Sequence, residues 1–261
     1  MEAYLDNSAT TKCAAEVVET AVKVMSEDYG NPSSKHMKGV DAEKYIREAK
    51  EVIAKTLKCQ DKEILFTSGG TECNNMIIRS CANLNKQRGR HIISTSIEHP
   101  SVLNTLEDLE KDGFDVTYLP VDSEGKISIE DVEKSLREDT ILVSVMFVNN
   151  EVGSIQPIKE IGNLLKNRKN KVFFHVDAVQ GYGKVEFRPS RYNIDFMSVS
   201  AHKIHGPKGI GFMYMKDGNN FKPLVTGGGQ ESNLRSGTEN VPGIYGMGAA
   251  VSKLFSDLNG S

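Results

Sequence analysis

The 261-residue sequence predicts an α/β fold, read as one continuous domain around a parallel sheet. Three observations carry this reading. Several strand-length apolar runs are near-continuous in Val, Ile and Phe, as in strands buried on both faces, where a one-sided sheet would alternate. Segments with helical spacing fall between those runs. No internal repeat, low-complexity stretch or Pro/Ser-rich linker divides the chain.

In chain order, the first helical pattern spans residues 41–57, with Ala42, Ile46, Ala49, Ile53 and Leu57 on one face. Ile64-Leu-Phe-Thr67 reads as a strand, followed by a glycine turn and a helix from Asn75 onward. The next strand is His91-Ile-Ile-Ser-Thr95. Residues 101–111 follow Pro100, which suits a helix start. Val116-Thr-Tyr-Leu119 is a strand and 129–136 a helix. The longest apolar run, Ile141-Leu-Val-Ser-Val-Met-Phe-Val148, precedes a helix over 158–165. Three more strands follow, at Val172-Phe-Phe-His-Val176, Phe196-Met-Ser-Val199 and Gly211-Phe-Met-Tyr-Met215. The last segment, 241–258, carries Val251, Leu254, Phe255 and Leu258 as an amphipathic helix.

Composition narrows the function. A net charge of -3 with no Lys/Arg block argues against nucleic acid as a partner. No apolar run approaches membrane-spanning length, so no membrane association is expected. The start, Met1-Glu-Ala-Tyr-Leu-Asp6, lacks the basic and apolar regions of a signal peptide. Cys13, Cys59, Cys73 and Cys81 form no CxxC pair and no zinc spacing. A reduced, cytoplasmic setting without a metal site is the expectation. Each is expected to be a buried free thiol, and Cys73 is the one to watch, because it follows Gly69-Gly-Thr71, where a helix amino end could lower its pKa.

Five groups of chemistry-bearing residues fall at expected strand ends. Ser198-Val-Ser-Ala-His-Lys203 sets serines, a histidine and a lysine ahead of a glycine-rich turn. A lysine amine forms an imine with an aldehyde while nearby hydroxyls hold a phosphate, which is what pyridoxal phosphate (PLP) asks of a protein. Thr67-Ser-Gly-Gly-Thr-Glu72 is either a phosphate cradle at a helix amino end or a capped turn with Thr71 as N-cap. Asp177 ends an apolar strand, where a carboxylate needs a partner: a protonated pyridine nitrogen, a structural salt bridge or a helix to cap. Gln180, three residues on, could donate to a ring hydroxyl, or is one of the amide side chains common at turns. His99, in Ser96-Ile-Glu-His-Pro100, is suited to stacking on a flat ring and handling protons, or to a simple turn. Asn149-Asn-Glu-Val-Gly153 offers amides to a phenolic oxygen, or is ordinary loop chemistry. The glycine-rich loop 227–240, with Arg235, Ser236 and Thr238, is an anion site or a surface loop. Their joint occurrence in one α/β chain favours PLP over separate explanations.

In these motifs the chain resembles cysteine desulfurases of the NifS/IscS type, in the PLP-dependent class V aminotransferase superfamily. The resemblance is carried by Tyr4-Leu-Asp-Asn-Ser-Ala-Thr-Thr11, Gly30-Asn-Pro-Ser-Ser34 with His36, Thr67 to Glu72, Glu98-His99, Val148 to Gly153, His175-Val-Asp-Ala-Val-Gln180, Ser200-Ala-His-Lys203 with Gly206-Pro-Lys-Gly-Ile-Gly211, and Arg235-Ser-Gly-Thr-Glu-Asn240. It implies a fold-type I PLP-dependent transferase large domain, with a seven-stranded, mostly parallel sheet between helices. The expected division is an N-terminal segment, 1–14, and a PLP-binding large domain, 15–261.

The resemblance also implies roles. Lys203 corresponds to the Schiff-base lysine, Asp177 to the pyridinium partner and His99 to the stacking histidine. Gln180 and Asn150 lie near the ring oxygen and substrate. Gly70, Thr71, Ser200 and His202 form the phosphate pocket, and Thr238 is lent by the other subunit of a homodimer. The implied reaction converts L-cysteine to L-alanine and leaves a persulfide for an iron-sulfur scaffold or another sulfur acceptor. Selenocysteine lyase or a related class V PLP enzyme, and a non-catalytic PLP-binding or dimerising module, are the alternatives. In the family, a smaller carboxy-terminal domain with the nucleophilic cysteine loop and a carboxylate-binding arginine follows the arginine-serine-glycine-threonine motif. None of the four cysteines matches that position, so the sequence to Ser261 is expected to be inactive as it stands.

Overall fold

In a computed structural model, residues 3–259 are described, with side chains through Ser256. Seven helices and seven strands follow one another as α1 (Ala15–Ser26), α2 (Met37–Leu57), β1 (Ile64–Thr67), α3 (Gly70–Asn85), β2 (His91–Thr95), α4 (Pro100–Lys111), β3 (Asp115–Leu119), α5 (Ile129–Ser135), β4 (Thr140–Met146), α6 (Ile158–Lys166), β5 (Phe173–Asp177), β6 (Phe196–Ser200), β7 (Gly211–Met215) and α7 (Val241–Asn259).

The strands form one sheet in the order β1-β7-β6-β5-β4-β2-β3. Only β7 runs against its neighbours, pairing antiparallel with both β1 and β6. The other pairings are parallel. The near-continuous apolar runs have the predicted cause: β1, β2, β4 and β6 are buried along their whole length, and β5 apart from Phe173. Helices cover both faces. Ile53 of α2, Ile161 of α6 and Met247 of α7 join one apolar core. Met76 and Ile77 of α3 and Leu106 of α4 join the other. Edge strand β3 is largely half-exposed, because only one neighbour covers it.

All seven expected strands are present, with ends moved by a residue or two. The exceptions in the helices have local causes. Helix α3 starts at Gly70, five residues before the expected Asn75, and its N-cap is Gly69, not Thr71. Gly69 has φ +148°, a conformation that favours glycine. Helix α2 starts at Met37, ahead of the expected Asp41. A Cβ on Gly39 would lie 2.1 Å from the Ser34 carbonyl oxygen, so the first turn packs on the preceding loop. Helix α1 was not anticipated; it buries Val17 and Val24. The Leu258 side chain, expected on the apolar face of α7, lies outside the described side chains.

Candidate active site

The carboxyl ends of β1, β2, β4, β5 and β6 converge on a cavity of about 670 Å³. This is the edge where open α/β sheets bind ligands. The turn after β1 supplies Gly70 and Thr71, the turn after β2 supplies His99, and the turn after β4 supplies Asn150. The end of β5 supplies Asp177 and Gln180, and the end of β6 supplies Ser200, His202 and Lys203. Of the residues expected to bind the cofactor, Thr238 lies elsewhere, in a neighbouring cavity of about 160 Å³ that Arg235 also lines.

Glycine makes one wall possible. A Cβ on Gly70 would sit 2.6 Å from Val179 Cγ2. A Cβ on Gly211 would sit 2.3 Å from the Val199 carbonyl oxygen and 2.7 Å from Gly69 Cα. Their absence lets the first turn of α3 press against the end of β6 beside Ser200. The first-turn amides of α3 have no intrahelical acceptor and carry the positive end of the helix dipole. The Ser68 N–H donates to Glu72 Oε2 at 2.6 Å, and Arg235 Nε donates to Glu72 Oε1 at 2.8 Å. Burial pushes the Glu72 carboxyl up, but Arg235 and Ser68 outweigh it and hold it below the usual range.

Cys73, on the same turn, is the buried free thiol expected of each cysteine, and not an activated one. It is fully buried, and burial pushes its pKa up to about 12. Desolvation of the thiolate exceeds the Thr67 and backbone hydrogen bonds that favour it.

Asp177 is 5% exposed. Its Oδ2 accepts from Asn74 Nδ2 at 2.8 Å and its Oδ1 from the Val179 N–H at 3.0 Å. No described cation forms an ion pair with it, so it is not a structural salt bridge. Burial raises its pKa, while Asn74, the Val179 N–H, His99 and Lys203 oppose the rise. Lys203 stands on a short 3-10 turn, Ala201–Lys203, directly after β6. Its Nζ donates to the carbonyl oxygens of Ser8 and, at 2.8 Å, Ala9. Burial lowers its pKa, against the pull of the Asp6 and Asp177 carboxylates. A lowered amine pKa keeps more of the nucleophilic neutral form.

His99 is the N-cap of α4: its Nδ1 accepts from the Ser101 N–H at 3.1 Å. Its ring also faces the cavity, so it serves the turn and the site together. His202 Nδ1 lies 3.1 Å from Thr10 Oγ1, and burial lowers its pKa, helped by Lys203 and Lys208. Gln180 Nε2 donates to the Ser8 carbonyl at 2.8 Å. The two asparagines after β4 divide the work. Asn149 Oδ1 accepts from the Glu151 and Val152 N–H groups, both at 2.9 Å, and builds the turn. Asn150 is left to line the cavity.

The sequence reading gave no role to Asp6, Ser8, Ala9 or Thr10, yet all four line the cavity. The N-terminal segment is a strap across the lysine turn, held by Thr11 N–H and Thr11 Oγ1, each donating to the His202 carbonyl at 2.8 Å. The Tyr4 to Thr11 motif was the signal for it. Asn74 and Ser101 were also missed.

These donors fit PLP. Free amides and the Thr71 and Ser200 hydroxyls suit its phosphate, a buried carboxylate without a cation suits its ring nitrogen, and a lysine of lowered pKa suits its aldehyde. The aminotransferase class-V family profile matches residues 3–259. The chain is 48% identical over 257 residues to the cysteine desulfurase IscS of Clostridium botulinum strain Hall, covering 98% of this chain and 64% of the relative. It is 49% identical to a putative cysteine desulfurase, IscS 1, of Bacillus subtilis, over 97% of this chain and 66% of that one. Among solved structures, a NifS-like protein superposes with a TM-score of 0.97 at 45% identity, over 99% of this chain and 71% of that chain. A structure described as SspA in complex with cysteine gives 0.93 at 42% identity, over 96% and 72%.

Sheet and cradle together define the large domain of a fold-type I PLP-dependent transferase, and PLP is its cofactor. The chain belongs to the aminotransferase class-V family and is homologous to its NifS/IscS-type cysteine desulfurases. It spans just under two thirds of the length of the first of those curated relatives.

Proposed function

We propose that this chain is the PLP-binding core of a cysteine desulfurase. In the overall reaction the carbon–sulfur bond of L-cysteine breaks, L-alanine leaves, and a protein thiol becomes a persulfide. The observation that carries the reading is a single cavity lined by Lys203 and the cation-free Asp177 at the ends of two adjacent parallel strands. The cysteine in the SspA complex supports the substrate class for this chain.

Lys203 would hold PLP covalently. Asp177 would pair with its ring nitrogen, His99 would lie against the ring, and Gln180 and Asn150 would face the ring oxygen. Gly70, Thr71, Ser200 and His202 would hold the phosphate. Bound in this way, PLP supplies an electron sink for carbanion chemistry at the substrate's α and β carbons. As the neutral amine that burial favours, Lys203 would hold or move a proton at Nζ. The strap residues Ser8 and Ala9 fix where that nitrogen points. Thr238 would serve the cofactor of a second copy, in a homodimer. An iron-sulfur scaffold or another acceptor protein would take the sulfur.

None of the four cysteines lines the cavity. Cys73 and Cys81 are buried, and Cys59 is pushed up to about 12 by burial. That favours a second reading for the chain taken alone, a PLP-binding module whose persulfide-forming thiol is supplied from elsewhere. The test is to load the chain with PLP, add L-cysteine and a thiol reductant, and assay sulfide and alanine. Little sulfide is expected despite a normal PLP spectrum. Robust sulfide release, with persulfide trapped on one of the four cysteines, would overturn the module reading and make the chain a complete enzyme.

A further inference from the structure

Asn74 lies one turn into α3, 1% exposed, in the wall of the cavity beside Asp177. Its Nδ2 donates twice, to Asp177 Oδ2 at 2.8 Å and to Ser101 Oγ at 2.9 Å. Its Oδ1 is buried with no hydrogen-bond partner. An asparagine that leaves its carbonyl unsatisfied to keep both donors engaged has one tolerable orientation, since a flipped amide would set an oxygen against the carboxylate. Ser101 Oγ, having accepted from Asn74, has its own hydrogen left for His99 Nδ1 at 2.8 Å. The Ser101 N–H points at the same nitrogen. His99 Nδ1 is therefore an acceptor, and the ring proton sits on Nε2.

We propose that Asn74 is a positioning residue of the site, a single amide that ties the Asp177 carboxylate to the Ser101–His99 pair and fixes the orientation of the first and the tautomer of the second. A ring with Nδ1 taken up as an acceptor presents its Nε2–H donor to the cavity. The purpose of the arrangement rests on the PLP reading, but its geometry does not.

The test is NMR on the full chain without PLP, reading the two imidazole nitrogens of His99 and the titration of the Asp177 carboxyl. Asp177 also faces Lys203 after β6, Glu98 and His99 ahead of α4, and Cys73 of α3, all unchanged in the variants. The parent should show the Nε2–H tautomer at mildly alkaline pH. Asn74→Ala should move the Asp177 midpoint up by roughly one to two pH units, the value of one hydrogen bond to a charged group, and shift His99 Nδ1. Ser101→Ala should shift His99 Nδ1 with a smaller effect on Asp177. A Nδ1–H tautomer in the parent chain would overturn the proposal without any variant. An unmoved Asp177 midpoint in a folded Asn74→Ala chain would overturn it equally. Failure of PLP to bind would sink the proposed function and leave these signals where they are.

Discussion

Asp177 has a carboxylate that burial disfavours and no described cation neutralises. If PLP is the missing partner, Asp177→Ala should weaken PLP binding about tenfold or more, because a hydrogen bond to a charged group contributes roughly 1.5–3 kcal/mol. Spectroscopic titration reads it, and parental affinity would count against the pairing. Glu98 gives a pH prediction. Burial, with a smaller push from Asp177, raises its carboxyl from 4.5 to about 8, against hydrogen bonds from Met146 and Thr95. The folded chain therefore holds a proton that the unfolded chain has lost between those values. Stability from this group is complete at low pH and falls as pH rises through about 8. Glu98→Gln should flatten that slope and melt higher than the parent in alkali. An unchanged pH profile would show that Glu98 is already ionised. At this scale the lysine was legible ahead of a glycine-rich turn, the histidine beside Pro100, and the aspartate as a carboxylate ending an apolar strand. Asn74 and Ser101 were not, since a polar residue inside a helix looks solvent-facing until its neighbours are known. The carbonyls of Ser8 and Ala9 were illegible for a simpler reason: every residue has one.

Elements place those groups. The carboxyl edge of the sheet gathers five strand ends because β1, β2, β4, β5 and β6 point the same way, and β7 returns between β1 and β6. Apolar runs announced the strands, since burial on both faces leaves a continuous signature. The direction of β7 had no such signature. The early start of α3 was hidden because Gly70 and Thr71 are weak helix formers, recruited by a turn that only Gly69 fits. Gly211→Ala tests that packing. Its Cβ would meet backbone on both sides, at Val199 and Gly69. Overpacking of this kind costs about 1–3 kcal/mol. A matching fall in urea stability, with weaker PLP binding, is expected; a parental denaturation curve would show that the cradle yields.

At the scale of the molecule, the neighbouring cavity matters most. Thr238, Arg235 and Glu239 line it, and Arg235 reaches across to Glu72 at the cradle. The loop 227–240 is thus fastened to the site although Thr238 stays outside it. If Thr238 serves a second copy, the PLP-loaded chain should sediment as a dimer, and Thr238→Ala should lower PLP affinity without changing the fold. A monomer with full PLP occupancy would contradict that. The resemblance covered the whole chain, so fold and cavity were largely legible before any geometry. The N-terminal strap was the exception, because its attachments to Lys203 and His202 join residues 191 to 195 positions apart.

The central claim is that Lys203 carries the cofactor. The most direct measurement is to load the full chain with PLP, reduce with borohydride, digest, and map the pyridoxyl group by mass spectrometry. The expected result is loss of the visible absorbance and a single adduct on Lys203, absent from Lys203→Ala. An adduct on another lysine, or none in a folded chain, would contradict it.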